Sequence, residues 1–130
     1  MPRDDPSSTK PLLDKLGVKP GMRVAIERVD DADFLQELSA RADMLGKRQK
    51  GIEMIFLGVE GPDDMSRLAE LKDHIARDGA VWVVYRKGRK DFNENDVLRL
   101  GLESGMVDVK VVRFSETHTA TKYVIRKAER

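Results

Sequence analysis

A chain of 130 residues, 40% hydrophobic and 36% charged, is the length of one domain and has apolar material for one core. Its 24 Lys and Arg nearly cancel its 23 Asp and Glu, so no global field draws it to nucleic acid or an anionic membrane, and neither is an expected partner. Cysteine is absent, which excludes disulfides, thiolate metal sites and cysteine nucleophiles and suits a reducing compartment.

Residues 1–10 are rich in Asp, Pro, Ser and Thr, with no apolar stretch of the signal-peptide kind. They are expected to form a disordered tail before one domain over 11–130, in a cytoplasmic protein. No apolar run approaches the ~20 residues needed to span a bilayer. Ser8 or Thr9 can cap a short helix bearing Leu12, Leu13 and Leu16 and ending at Gly17. After the turn at Pro20-Gly21, Met22 to Val29 has strand composition. Asp30 or Asp31 then caps a helix with Phe34, Leu35, Leu38, Ala42 and Leu45 on one face, stopped by Gly46.

A basic connection, Lys47 to Gly51, leads into Ile52 to Val59, nearly all apolar as a strand buried on both faces should be. Gly61-Pro62-Asp63-Asp64 starts a helix carrying Met65, Leu68, Leu71 and Ile75 and ending at Gly79. Ala80 to Tyr85 reads as a third buried strand, and Asn93 or Asn95 caps a helix that ends near Gly105. Met106 to Phe114 and Thr119 to Arg126 are joined by four residues, which allow only an antiparallel hairpin. Helices alternating with strands imply right-handed crossovers. The expected fold class is thus three-layer α/β: a mostly parallel five-stranded sheet, flanked by helices and closed by a C-terminal hairpin.

Three stretches carry a resemblance. Leu16-Gly17-Val18-Lys19-Pro20-Gly21-Met22-Arg23-Val24 resembles the lead into the first strand of class I methyltransferase-like domains. Leu68 to Val84 resembles their penultimate helix and the central strand after it, and the hairpin following Gly105-Met106-Val107 resembles their terminal hairpin. More closely, Leu16–Arg23, Asp78–Lys87 and Gly105–Lys122 resemble the bacterial domain of unknown function 3052 family, a likeness extending from Leu12 to Arg126. It implies a shortened methyltransferase-like, Rossmann-like fold and no established activity. Members of that family tend to have Pro where Arg86 stands and Trp near His118, so this chain departs from them at both places.

A full class I methyltransferase follows its first strand with a glycine-rich loop, which lets backbone approach the cofactor. Here the loop reads Glu27-Arg28-Val29-Asp30-Asp31-Ala32-Asp33, with no glycine between Gly21 and Gly46. The next strand, with its ribose-holding acid, has no clear sequence either. On these grounds no cofactor is expected and S-adenosylmethionine is disfavoured.

The carboxyl edge of an open α/β sheet is where ligands bind. Asp30 and Asp31 stand there after the first strand, Glu60 after the second, and Arg86, Lys87 and Arg89 after the third. These six are the candidate ligand-binding residues, with no metal ligand and no catalytic residue among them. Each has a plainer reading: the aspartates as a helix cap, the cations as a solvated loop that holds a small anion only if built for it. The Asp pair also suits a receiver domain, but Gly58-Val59-Glu60 lacks the phosphoacceptor Asp such a domain needs. His118, among Ser115, Glu116, Thr117 and Thr119, is the one local set suited to acid–base work, though hydroxyls in a turn are ordinary turn chemistry. The preferred expectation is a non-catalytic binding or interaction domain. The alternative is a small enzyme or cofactor-binding protein using the carboxyl edge for an anionic or nucleotide-like ligand. A protein partner or second copy could add to the hairpin edge through Val109, Val111, Val112 and Tyr123.

Overall fold

The computed structural model describes residues 11–46 and 49–130. The expected tail, with its Ser8 or Thr9 cap, and two residues of the basic connection lie outside them. In chain order the elements are α1 (Leu12–Lys15), β1 (Arg23–Glu27), α2 (Ala32–Arg41), β2 (Asp43–Met44) and β3 (Ile52–Val59). Two short helices, α3 (Pro62–Met65) and α4 (Arg67–Lys72), precede β4 (Ile75–Arg86). Then come α5 (Glu94–Glu103), β5 (Met106–Arg113) and β6 (His118–Ile125). Among the described residues no helix is long and apolar enough to cross a membrane.

The strands form one sheet in the order β2-β1-β3-β4-β6-β5. β1, β2, β3 and β4 pair in parallel, while β6 lies antiparallel between β4 and β5. Alternation along the two central strands divides the core. Ile55, Leu57 and Val59 with Val81, Val83 and Tyr85 face α3, α4 and α5. Met54 and Phe56 with Trp82 and Val84 face α1 and α2. Trp82 is fully buried, and its Nε1 donates to the Leu16 carbonyl at 3.1 Å, fastening the end of α1 to the sheet. On the other face Tyr123 donates to the Val97 carbonyl at 2.8 Å, and its ring fills the space beside Gly101, where a Cβ would lie 2.2 Å from it.

Three expectations are corrected. The helix after Asp31 stops at Arg41, because Ala42 is extended (φ −96°, ψ 162°). The chain beyond it pairs with β1, where Asp43 N–H donates to the Met22 carbonyl and Leu45 N–H to that of Val24. The strand thought missing is therefore present as two residues, and the sheet has six strands rather than five. Satisfying the open edge of β1 outweighs one more turn of an exposed helix. The third helix breaks at Ser66, whose hydroxyl donates to the Asp63 carbonyl, and Ile75 already belongs to β4. At the hairpin edge Val109 and Val111 are exposed on the outer strand β5, but Val112 and Tyr123 are buried and cannot meet a partner.

Candidate functional site

A cleft of about 620 Å³ opens at the carboxyl ends of β1, β3 and β4. Three segments build it. Arg28, Val29, Asp30 and Asp31 come from the β1–α2 loop, and Gly58, Val59, Glu60 and Asp64 from the end of β3 and α3. The far wall is Val84 of β4 with Phe114, Thr117 and His118 of the β5–β6 turn.

The loop leaving β1 turns by placing Arg28 in the left-handed region, at φ 61°, an uncommon conformation for a residue with a side chain. Its carbonyl oxygen settles over Gly58, where a Cβ would stand only 2.1 Å away. Gly58 is thus required for space rather than for backbone freedom. The Arg28 guanidinium reaches Asp64 at 2.6 Å, while the other oxygen of Asp64 accepts from the Glu60 N–H at 2.8 Å. Asp64 thereby ties the two near walls together. Asp31 caps α2, accepting from the Phe34 N–H at 3.1 Å. Phe34 in turn packs edge-on against Phe56 and Phe114, which holds the loop against the far wall.

Asp30, Asp31 and Glu60, read from the sequence, do come together in this cleft. Arg86, Lys87 and Arg89 do not line it. Arg89 is committed elsewhere: its guanidinium pairs with Asp91 at 2.6 Å, donates to the Glu60 carbonyl and lies 5.9 Å from the Phe92 ring centre. It props the β4–α5 loop against the end of β3. Arg86 pairs across strands with His118, and the Lys87 N–H donates to the Thr117 carbonyl. Sequence reasoning missed Arg28, Gly58, Asp64, Val84 and Phe114. Of these only Gly58 left a signal, as the one glycine within an otherwise apolar strand. Among the described residues no three His, Asp or Glu side chains are placed to hold a metal ion.

His118 is held by neighbours in its own turn. Its Nδ1 is 2.7 Å from the Thr117 hydroxyl, and its N–H donates to the Ser115 hydroxyl at 3.1 Å. Partial burial depresses its pKa and the nearby Arg86 depresses it further, while Asp31 and Asp30 oppose them. The imidazole is therefore neutral at pH 7 and charges only below the ordinary histidine value of about 6.5. Since the folded state resists this proton, the stability it lends is intact above about pH 6.5 and is lost as the pH falls toward the lower folded value. An NMR titration should place His118 below the ordinary value, and Arg86→Gln should move it upward. An unchanged midpoint in that variant would show that Arg86 does not act on the ring.

No family model matches the chain, and no curated protein sequence matches it. Solved structures do. A TehB-like SAM-dependent methyltransferase from Corynebacterium glutamicum superposes with a TM-score of 0.52 at 12% identity, over 88% of this chain and 85% of that one. The Burkholderia thailandensis 1,6-didemethyltoxoflavin-N1-methyltransferase, solved with 1,6-didemethyltoxoflavin and S-adenosylhomocysteine bound, gives 0.56 at 11% identity, over 86% of this chain and 73% of that one. PigF with S-adenosylhomocysteine gives 0.55 at 12% identity, but this chain spans only 48% of its length.

These likenesses overturn the expectation that no cofactor, and S-adenosylmethionine least of all, belongs with this scaffold. The argument against it was a loop crowded with side chains and without glycine. In the structure Arg28 supplies the turn and Gly58, on the neighbouring strand, supplies the space, so a cleft stays open beside the loop. At such low identity what is shared is the architecture: the chain is a six-stranded, mostly parallel α/β domain with a C-terminal antiparallel hairpin, of the methyltransferase-like, Rossmann-like fold.

Proposed function

We propose that this is a small-ligand-binding domain whose cleft takes S-adenosylmethionine or a similar adenosine-bearing cation. The observation that supports the reading is the position and lining of the cleft. It lies outside the carboxyl ends of the parallel strands, where open α/β sheets bind ligands, and three carboxylates that form no salt bridge among the described residues line it. Asp30, Asp31 and Glu60 would face the cationic groups of such a ligand, and Val29, Val59, Val84 and Phe114 offer apolar contact. Among the described residues β2 is followed by Leu45 and Gly46, with no acid for a ribose, so the hold rests on the cleft itself. When bound, S-adenosylmethionine supplies an electrophilic methyl group. The cleft's acidic lining favours a cation over a small anion. On the residues quoted earlier we also infer membership in the bacterial domain of unknown function 3052 family, and a cytoplasmic protein.

The test is a thermal-shift series with S-adenosylmethionine, S-adenosylhomocysteine, adenosine monophosphate and a sugar phosphate. A ligand at a hundred times its dissociation constant adds about 2.7 kcal/mol of stability. Stabilisation by an adenosylated amino acid supports the reading; none, across millimolar concentrations, overturns it.

A further inference from the structure

We infer that the cleft discriminates by charge, holding the sulfonium S-adenosylmethionine more tightly than its neutral demethylated counterpart, S-adenosylhomocysteine. The inference rests on the binding reading above and adds a direction of preference to it. The two molecules share adenine, ribose, ammonium and carboxylate, and differ by one methyl group and one positive charge on sulfur. Contacts made by the shared parts cancel in the ratio of their affinities, which leaves the field inside the cleft to set that ratio.

That field is acidic from two walls. Asp30 and Asp31 stand on the β1–α2 loop and Glu60 at the end of β3, all on exposed residues. The cation among the lining residues, Arg28, is taken up by Asp64 at 2.6 Å, so this pair contributes little net charge. Of the cations nearby, Arg89 is neutralised by Asp91 at 2.6 Å, and Arg86 lies beside His118 on the far wall. His118 is itself uncharged at neutral pH, for the reasons given above. What remains is three negative charges from Asp30, Asp31 and Glu60 against the one positive charge of Arg86, a net of two negative. A cube of the cleft's 620 Å³ is about 9 Å on a side, within the ~10 Å Debye length at 0.1 M salt. Over that distance salt at 0.1 M screens the carboxylates only in part. At that spacing, in a partly wetted site, a net of two charges amounts to roughly a tenfold preference. The same field works against phosphate, so a nucleotide should bind more weakly than either compound.

Isothermal titration calorimetry of the wild-type chain, Glu60→Gln and Asp30→Asn at 50 and 500 mM NaCl tests this. Both substitutions keep the side chain's size at an exposed position, so folding is retained. The wild type should bind S-adenosylmethionine about tenfold more tightly than S-adenosylhomocysteine at low salt, and the ratio should shrink severalfold at high salt. Each variant should lose severalfold more affinity for the sulfonium compound than for the thioether, so that the ratio between them shrinks. Equal affinities, tighter binding of S-adenosylhomocysteine, or adenosine monophosphate binding more tightly than both would overturn the charge preference while leaving binding intact. Binding of none of them would overturn the ligand assignment itself.

Discussion

Val83→Asp is expected to leave no cooperatively folded protein. Val83 is fully buried in β4, with Leu57 of β3 on one side and Thr121 of β6 on the other. It shares the face that packs Leu68, Leu71 and Val97. The polar groups on that face include the Tyr85 and Thr121 hydroxyls, already engaged with each other at 3.1 Å, and the Tyr123 hydroxyl, which donates to the Val97 carbonyl. Burial pushes the Tyr85 hydroxyl up to about 12, a sign of how poorly this region solvates an anion. An unpaired carboxylate there costs several kcal/mol even after it takes up a proton, against a typical total stability of about 5–15 kcal/mol. Circular dichroism should show loss of the thermal transition, or the chain should be insoluble. A soluble variant melting near the wild type would mean that β4 does not occupy the middle of the sheet.

Gly58→Ala should have the next largest effect, and it joins the fold to the site. One methyl group would meet the Arg28 carbonyl oxygen at 2.1 Å, and neither partner is a flexible side-chain end. Either the β1–α2 loop lifts or β3 moves away from β4, where Gly58 pairs with Val84. Overpacking of this kind costs about 1–3 kcal/mol. The domain should therefore fold with a melting temperature lowered by roughly 3–15 °C, given about 3–5 °C per kcal/mol for a domain of this size. Because Arg28 to Asp31 and Gly58 to Glu60 line the same cleft, ligand binding should fall along with stability. A variant of wild-type stability and affinity would show that the loop does not lean on β3 as described.

Segments whose physics is local could be read from the sequence. The run from Ile52 to Val59, apolar but for the exposed Glu53, is β3 to the residue, because a strand covered on both faces has almost no polar side to blur its limits. Asp31 and Asn93 cap α2 and α5 as their side chains suggest, Asn93 within a full capping box with Asp96. β2 could not be read. Ala42 and Leu45 continue the helical spacing, and what ends the helix is the unpaired edge of β1, which no local pattern records. The site divides in the same way. Asp30, Asp31 and Glu60 follow from the rule that ligands lie beyond the carboxyl ends of strands. Their counterparts after β4 do not, since Asp91, two residues beyond Arg89, claims its charge. Phe114 and His118 reach the cleft only because β6 inserts beside β4, and strand order is not visible in composition or periodicity. The left-handed Arg28 leaves no mark at all, so a loop without glycine reads as one that disfavours S-adenosylmethionine.

A ligand is proposed to sit at the carboxyl edge, between the β1–α2 loop and the β5–β6 turn. Amide chemical-shift mapping of the labelled chain with S-adenosylmethionine examines it residue by residue. Saturable shifts are expected, concentrated at Val29, Asp30, Gly58, Glu60, Val84 and His118. Shifts gathered instead along β5, or none at saturating concentration, would contradict it.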